Sequence, residues 1–444
     1  MAAPVASERW RSSATFVLAL AVATVGLGNL WRFAFLMGEN GGAPFLLSYV
    51  LCLLLVGAPL LTAEVVLGAH GRGSVLLTLA WAAQVAGRSR LWLTIGVLAC
   101  LAALLMLIAC ILVGGWALAY AFYQHAGEFA AIDLDASAAF LRRRIDAPGQ
   151  LLLAQLAMAA LATGVVALGV RRGLGLFAWL AFPMLLTLLA FTLSYAIEHG
   201  DLDAASRYLF NWQTLDFNAT SFMVALSHAV FTLSVGVAVG MSYGGYAPEQ
   251  LPILRAVLAV ALFDIGVGVA AGLVVFPLLF AANLLPAQDF SLLFIGLPFA
   301  FGALPFGDVY GALFYLLVLI ALLGSSVALL EPVLGSLVRQ FRAPRPVIAL
   351  LLGAAAGLLS CLATVGLRGG GELLIWLDTA TSRWLMPAVM LLLALFVGWR
   401  IPPAILRLEL AREPDILFTV WYFLLRFLAA PVIVAAWLWL ALVR

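Results

Sequence analysis

Long apolar stretches follow one another along almost the whole chain, separated by arginine-bearing loops, and this pattern leaves few folds open. About eleven of them, roughly 12–37, 42–69, 91–124, 149–170, 173–197, 220–243, 253–281, 309–338, 346–366, 373–399 and 416–442, reach the ~20 residues that a helix needs to cross a bilayer. Within lipid every backbone amide and carbonyl must be satisfied inside the protein, so apolar runs of this length are read as helices. Hydrophobic residues are 65% and charged residues 10% of the 444, and the mean hydropathy is +1.14, which excludes a water-soluble domain of this size. The expected fold class is an all-α polytopic membrane protein. The first stretch is too long for a signal-peptide core and runs into Trp31-Arg32 without a cleavage pattern, so no signal peptide is expected.

Orientation rests on arginine, because the chain contains no lysine. Arg9, Arg11, Arg72, Arg88, Arg90, Arg171, Arg172, Arg339, Arg342, Arg345, Arg400, Arg407 and Arg412 fall on the side of the N-terminus. Arg142, Arg143, Arg144, Arg207 and Arg368 fall on the other. The excess predicts a cytoplasmic N-terminus. With a formal net charge of +2 and the arginines spread over the flanks of spans, no nucleic-acid partner is expected. Cys52, Cys100, Cys110 and Cys361 lie inside spans without metal-ligand spacing, and no disulfide is expected. Asn218-Ala219-Thr220 fits a glycosylation sequon, but an ordinary loop-to-helix start is the better reading.

Two of the spans are poorly made as plain anchors. Between Ser12 and Trp31 no residue is charged, yet Val25 to Asn29 reads Val-Gly-Leu-Gly-Asn, and an arginine follows within a turn. Glycine contributes no side-chain packing and asparagine competes for backbone hydrogen bonds, so the helix is expected to unwind near Ala23 to Gly28. A second weak stretch, FTLSVGVAVGMSYGGY, begins at Phe231 in the sixth span. Interrupted helices in corresponding places of two five-helix halves point to a transporter with inverted repeats and a midplane site. The implied division is a single transmembrane domain over 1–444, made of a first repeat over 12–197, an inverted second repeat over 220–399 and an additional helix over 416–442. The plainer alternative is that small residues here only let helices pack closely.

Ionisable residues inside spans sharpen the search, because buried charge is costly and is normally paired or functional. Arg32, Glu64, His228, Asp264 and Glu331 qualify. Asp264 stands mid-span with no basic neighbour in sequence, so it must meet a cation, a proton or water. His228, one turn before Thr232, is read as a hydrogen-bonded packing residue.

These residues resemble a known family, the sodium-coupled neurotransmitter and amino-acid symporters of the eleven-helix bacterial type. The resemblance runs through ERW at 8–10, GLGNLWRF at 26–33, ENGGAPF at 39–45, GAPLLTAEVVLG at 57–68, GGW at 114–116, FTLSVG at 231–236, LFDIGVGVAAGLVVFP at 262–277, SSVALLEP at 325–332 and LDTATSRWLMP at 377–387. The inverted-repeat architecture is a worked example for this family, so it is carried over by resemblance.

The resemblance implies a first sodium site at Thr24, Asn29, Thr232 and Asp264, oxygen ligands that replace a hydration shell. Asp264 supplies a negative charge and Gly268, one turn on, supplies none, so chloride is not expected to be required. A second sodium site would use the carbonyls of Val22, Val25 and Ala321 with side-chain oxygens at 324 and 325. Ser325 offers one, but Gly324 has none; either Ser325 and Ser326 with a water complete the shell or the site is weak, which leaves one or two sodium ions open. The implied substrate pocket comprises Ala23, Thr24, Leu27, Gly28, Met106, Cys110, Phe231, Thr232, Ser234, Val237, Ser325 and Leu329. Cys110 stands where amino-acid-transporting members carry a tyrosine that contacts the substrate carboxylate, so a differently anchored or bulkier solute is implied.

Arg32 and Asp378 match the outer gate. Trp10 and Tyr246 match the inner one, where Ser7 replaces an arginine and Arg339 its acidic partner. A charge-reversed latch between Glu8 and Arg339 is one reading; the other is that Arg339 simply follows the positive-inside rule. Glu64 matches a carboxylate that caps amides freed in the sixth span, and Glu331 has no assigned role. The function implied is sodium-driven import of a small organic solute, an amino acid or related zwitterion, across a bacterial inner membrane, without catalysis. The alternative is a sensor that keeps the fold but has lost coupling. Partners are the small-molecule substrate and the bilayer, with the oligomeric state open.

Overall fold

The computed structural model describes residues 8–26, 28–212, 217–286, 290–367 and 372–442. Among these the chain is helical throughout, and the sole extended pairing is an isolated bridge between Gly42 and Trp212. Among the described residues nine helices are long and apolar enough to cross a membrane: Ala43–Gly71, Arg90–His125, Gly149–Ala167, Val170–His199, Ile253–Ala281, Gly307–Phe341, Arg345–Gly366, Ile375–Trp399 and Asp415–Trp439. Two further spans are each broken in the middle, Ser13–Thr24 with Phe33–Glu39, and Ala219–Thr232 with Val239–Gly245. Nine and two are consistent with the count of about eleven expected from the sequence. Counting in chain order, the broken spans are the first and sixth.

Burial sorts these helices. In their most apolar stretches the second span, Ala43–Gly71, and the eighth, Gly307–Phe341, have 78% of residues inside the protein, whereas Asp415–Trp439 has 28%. The second and eighth spans are therefore inner posts, and the last lies at the periphery with its apolar side chains toward lipid. Shorter helices that a search for full spans does not find occupy the connections, among them Val75–Val85, Leu134–Asp146, Leu202–Phe210 and Leu292–Ala303.

Local chemistry sets where the broken spans begin and fail. Ser12 accepts the Thr15 amide at 3.2 Å and caps the first span. That helix stops at Thr24, Val25 is extended, and a wide π-helical turn over Gly28–Arg32 restarts it. The Asn29 side chain accepts the Gly26 amide at 3.1 Å, holding the loop that its own competition with the helix helps to open. In the sixth span Asn218 forms a capping box with Ser221, which makes the sequon-like triplet a helix start. This helix ends at Thr232, and Ser234, Gly236 and Ala238 take left-handed backbone conformations before Val239. Gly236 tolerates that conformation and also close approach, since a Cβ there would stand 3.0 Å from the Met386 carbonyl. Ser234 and Ala238 are strained, so the break is held by contacts outside the helix.

Candidate functional site

Glu64, on the second span, supplies those contacts. Its fully buried carboxylate accepts the Gly236 amide at 2.8 Å and the Gly240 amide at 3.1 Å. Two amides that a continuous helix would have satisfied internally are paired instead with one anion, and the anion with two donors. The two breaks face each other: the Ser234 hydroxyl lies 3.5 Å from the Ala23 carbonyl.

Beside the breaks lies a polar cluster inside the core. The Asn29 amide group donates to Asp264 Oδ1 at 2.8 Å and to Thr232 Oγ1 at 3.0 Å. The Thr232 hydroxyl lies 3.0–3.1 Å from both Asp264 oxygens, and Tyr49 donates to Oδ2 at 3.0 Å. Asp264 is fully buried and forms no ion pair among the described residues. A buried anion held only by neutral donors is short of positive charge. With the hydroxyls of Thr232 and Tyr49, from two other spans, 3.0–3.1 Å from the Asp264 carboxylate, the oxygens suit a hard monovalent cation, while the Asn29 oxygen is turned to the Gly26 amide. The donor set thus fits sodium.

Three of the four residues expected at this site, Asn29, Thr232 and Asp264, are brought together. Thr24 is buried nearby, but its hydroxyl donates to the Ala21 carbonyl at 3.0 Å. Tyr49 is an addition that the sequence does not disclose; a tyrosine in an apolar span carries no signal of its own until its partner, 215 positions away in sequence, is known. His228 is buried, stacked on Phe33 and tilted against Tyr49 with ring centroids 5.6 Å from each, the packing part of its expected role. Its Nε2 has no hydrogen-bond partner among the described residues, and the residue also lines a cavity.

A cavity of about 400 Å³ opens toward the end of the bundle away from the N-terminus. Arg32, His228, Phe231, Asp378, Met386 and Trp437 are among its lining residues. Arg32 and Asp378 face the same space without an ion pair between them. Of the expected pocket residues Phe231 lines this cavity. Ala23, Thr24, Gly28, Cys110, Thr232, Ser234, Val237, Ser325 and Leu329 are buried, and Met106 is half-buried. Leu27 lies outside the described residues, as does Ser7.

The opposite end is closed. Trp10 is buried, its indole donates to the Tyr243 carbonyl at 3.0 Å, and its amide donates to the Tyr246 carbonyl at 2.9 Å. Its ring meets those of Tyr243 and Tyr246 edge-on at 5.2 and 6.2 Å. The Tyr246 hydroxyl donates to Glu331 at 2.6 Å, and both oxygens of the fully buried Glu331 are engaged by the Arg345 guanidinium. Glu331, unassigned from sequence, is thus the acidic centre of this end.

The latch between Glu8 and Arg339 is not formed. Glu8 accepts the Val170 amide at 2.5 Å, the first amide of the turn that opens the fifth span, and so is held away from the eighth. Arg339 makes no ion pair among the described residues. A salt bridge at this surface joins Arg9 to Glu249 at 2.6 Å, and Arg9 beside it holds the Glu249 carboxyl below its ordinary pKa.

Comparison with known proteins agrees with this geometry. The model of the sodium:neurotransmitter symporter family matches residues 7–132 and 128–444. An uncharacterized sodium-dependent transporter of Bacillus subtilis is 30% identical over 442 residues, 97% of either chain. One from Methanocaldococcus jannaschii is 25% identical over 449 residues, covering 97% of this chain and 89% of its own. The solved structure of MhsT in complex with L-phenylalanine superposes with a TM-score of 0.86 at 28% identity, covering 97% of this chain and 99% of that one.

Proposed function

Since the chain belongs to the sodium:neurotransmitter symporter family and is a sodium-dependent transporter, we propose that it imports an amino acid or related zwitterion together with sodium. The observation that carries this reading is the buried cluster of Asn29, Thr232, Asp264 and Tyr49, set where two helices break. Unpaired amides and carbonyls at such breaks bind a zwitterion at both ends, amides toward a carboxylate and carbonyls toward an ammonium group. The binding of L-phenylalanine by MhsT, a relative matched over nearly its whole chain, favours an amino acid. Cys110 in place of a tyrosine leaves the carboxylate to the amides about Gly28 and widens the pocket.

Placed in a bacterial inner membrane with the N-terminus cytoplasmic, the cavity between Arg32 and Asp378 faces outward, and Trp10, Tyr246 and Glu331 close the inner side. A solute and a sodium ion enter from outside, and the transport step is rocking of the first, second, sixth and seventh spans against the rest. One positive charge moving inward through ~100 mV contributes about 2.3 kcal/mol before any concentration gradient. The 12–197 and 220–399 segments act as the two inverted repeats in this scheme.

Chloride is not required in this reading. Asp264 already carries the negative charge, and Gly268 has no room for an acidic or hydroxyl side chain, because a Cβ there would stand 2.9 Å from the Phe33 ring. Neither the site nor these relatives supports the sensor alternative.

The test is thermal stabilisation of the purified protein by a panel of amino acids and amines, in sodium and again in potassium. A solute at one hundred times its dissociation constant raises stability by about 2.7 kcal/mol. The expected outcome is one chemical class that stabilises in sodium and not in potassium, undiminished when gluconate replaces chloride. Stabilisation indifferent to the cation would sink the reading.

A further inference from the structure

We propose that this transporter binds a single sodium ion, at the Asn29, Thr232 and Asp264 cluster, and that a direct contact between the first and eighth spans replaces the second ion. The inference rests on the sodium-coupled reading above and concerns the place where the first break meets Ala321, Gly324 and Ser325.

A sodium ion buried between two helices needs its hydration shell replaced by about five or six oxygens, or by fewer with a carboxylate among them. On the face of the eighth span that meets the first break, the oxygens available are the carbonyls of Val22, Val25 and Ala321 and the hydroxyl of Ser325; the Ser326 hydroxyl, buried without a hydrogen-bond partner among the described residues, sits about 140° round the helix from Ala321. Gly324 offers none, and the space a side chain would need is already taken. A Cβ on Gly324 would collide with the Val22 side chain and stand 2.7 Å from the Val22 carbonyl. That carbonyl therefore abuts the eighth span itself and does not face a space for a ligand.

The remaining groups are engaged with one another. The Ser325 hydroxyl lies 3.2 Å from the Val25 carbonyl and 3.3 Å from the Ala321 carbonyl, so its proton serves the two oxygens that would have turned to a cation. A Cβ on Gly26 would come within 3.1 Å of the same hydroxyl, so the break in the first span is seated directly on the eighth. The buried carboxylates that could add charge are committed elsewhere: Glu64 to the amides of the sixth span, Asp264 to the first cluster, and Glu331 to Tyr246 and Arg345. The first cluster has an anion without a cation, whereas the second place has neutral oxygens without an anion and is closed by glycine-mediated contact. What an ion would do there, tying the first span to the eighth, a hydroxyl and close packing already do.

The experiment is equilibrium binding of radioactive sodium to the purified full-length protein, with no solute added. The expected result is saturation at about one ion per chain with a Hill coefficient near one, and loss of binding in Asp264→Ala. The wild-type stoichiometry decides by itself should that variant fail to fold, and Asn29→Ala is the second disruption. Two ions per chain, or sodium still bound by folded Asp264→Ala, overturns the single-ion proposal and leaves sodium coupling standing. No sodium binding by the wild type removes sodium coupling itself, and this proposal with it.

Discussion

The two ends of the bundle differ in how their charges are kept. At the end that holds the N-terminus, Glu331 is fully buried and meets Arg345 and Tyr246, with Trp10 wedged against Tyr243 and Tyr246. At the other, Arg32 and Asp378 line a cavity and form no ion pair with each other. The same kinds of residue thus make a committed network at one end and an unmade contact at the other. Burial decides the difference. An anion removed from water must keep its partners, whereas charges facing a wet cavity lose little by standing apart. The closed end also joins partners of unequal mobility. Glu331 and Arg345 both belong to long continuous spans, while Tyr246 follows the second half of a broken one. In the proposed transport step, opening that end parts Tyr246 and Trp10 from a pair that stays made.

The comparison can be broken most forcefully at Glu331. Glu331→Ala leaves the Arg345 guanidinium without its anion in a mostly buried place, and a loss of about 3–5 kcal/mol is expected in chemical or thermal unfolding. A loss under about 1 kcal/mol would mean that the network is not what closes this end. Tyr246→Phe removes one hydrogen bond to a charged group, about 1.5–3 kcal/mol, from the closed arrangement alone. Alkylation of a cysteine introduced on the N-terminal side of the site should then speed up by a factor that Glu331→Gln reproduces only in part. At the open end Arg32→Ala and Asp378→Ala should each change unfolding stability by less than about 0.5 kcal/mol. Their effect is instead expected in weaker solute retention, read as a faster off-rate.

The smallest effect concerns the Arg9–Glu249 pair on the surface of the closed end. The folded-state pKa of Glu249 is depressed by Arg9, so the contribution is present above the ordinary glutamate pKa and is lost as pH falls through the depressed value. Alkylation on the N-terminal side, taken relative to that of a fully exposed cysteine at the same pH, should therefore rise slightly on acidification, and Arg9→Gln should abolish that rise. The same pair is exposed, so raised salt should mimic the acid.

Much of this contrast is legible in the amino-acid sequence itself. Glycine and asparagine in the first span, and serine and glycine in the sixth, mark both breaks within a few residues, because helix failure is a local property. Asp264 announces itself as a lone carboxylate in an apolar run. What stays hidden depends on partners distant in sequence. Tyr49 reads as another aromatic residue until Asp264 is set beside it. The pairing of Glu331 with Arg345 is obscured by the latch that resemblance suggests between Glu8 and Arg339, since sequence does not show that the Val170 amide claims Glu8. The short apolar helices Val75–Val85 and Leu292–Ala303 escape for a different reason: they are too short to span, and length is what makes a membrane helix visible in a sequence.

The capping of the sixth span by Glu64 has a consequence for how such a chain is made. The amides of Gly236 and Gly240 have their acceptor on the second span, some 170 residues earlier in synthesis. When the sixth span leaves the insertion machinery its break would meet lipid with bare amides, unless the helix that neutralises them is already in the bilayer. Synthesis from the N-terminus supplies the cap before the gap it fills. The order of translation and the order of burial are thereby aligned, and the first half of the chain serves as a template against which the second half can be safely broken.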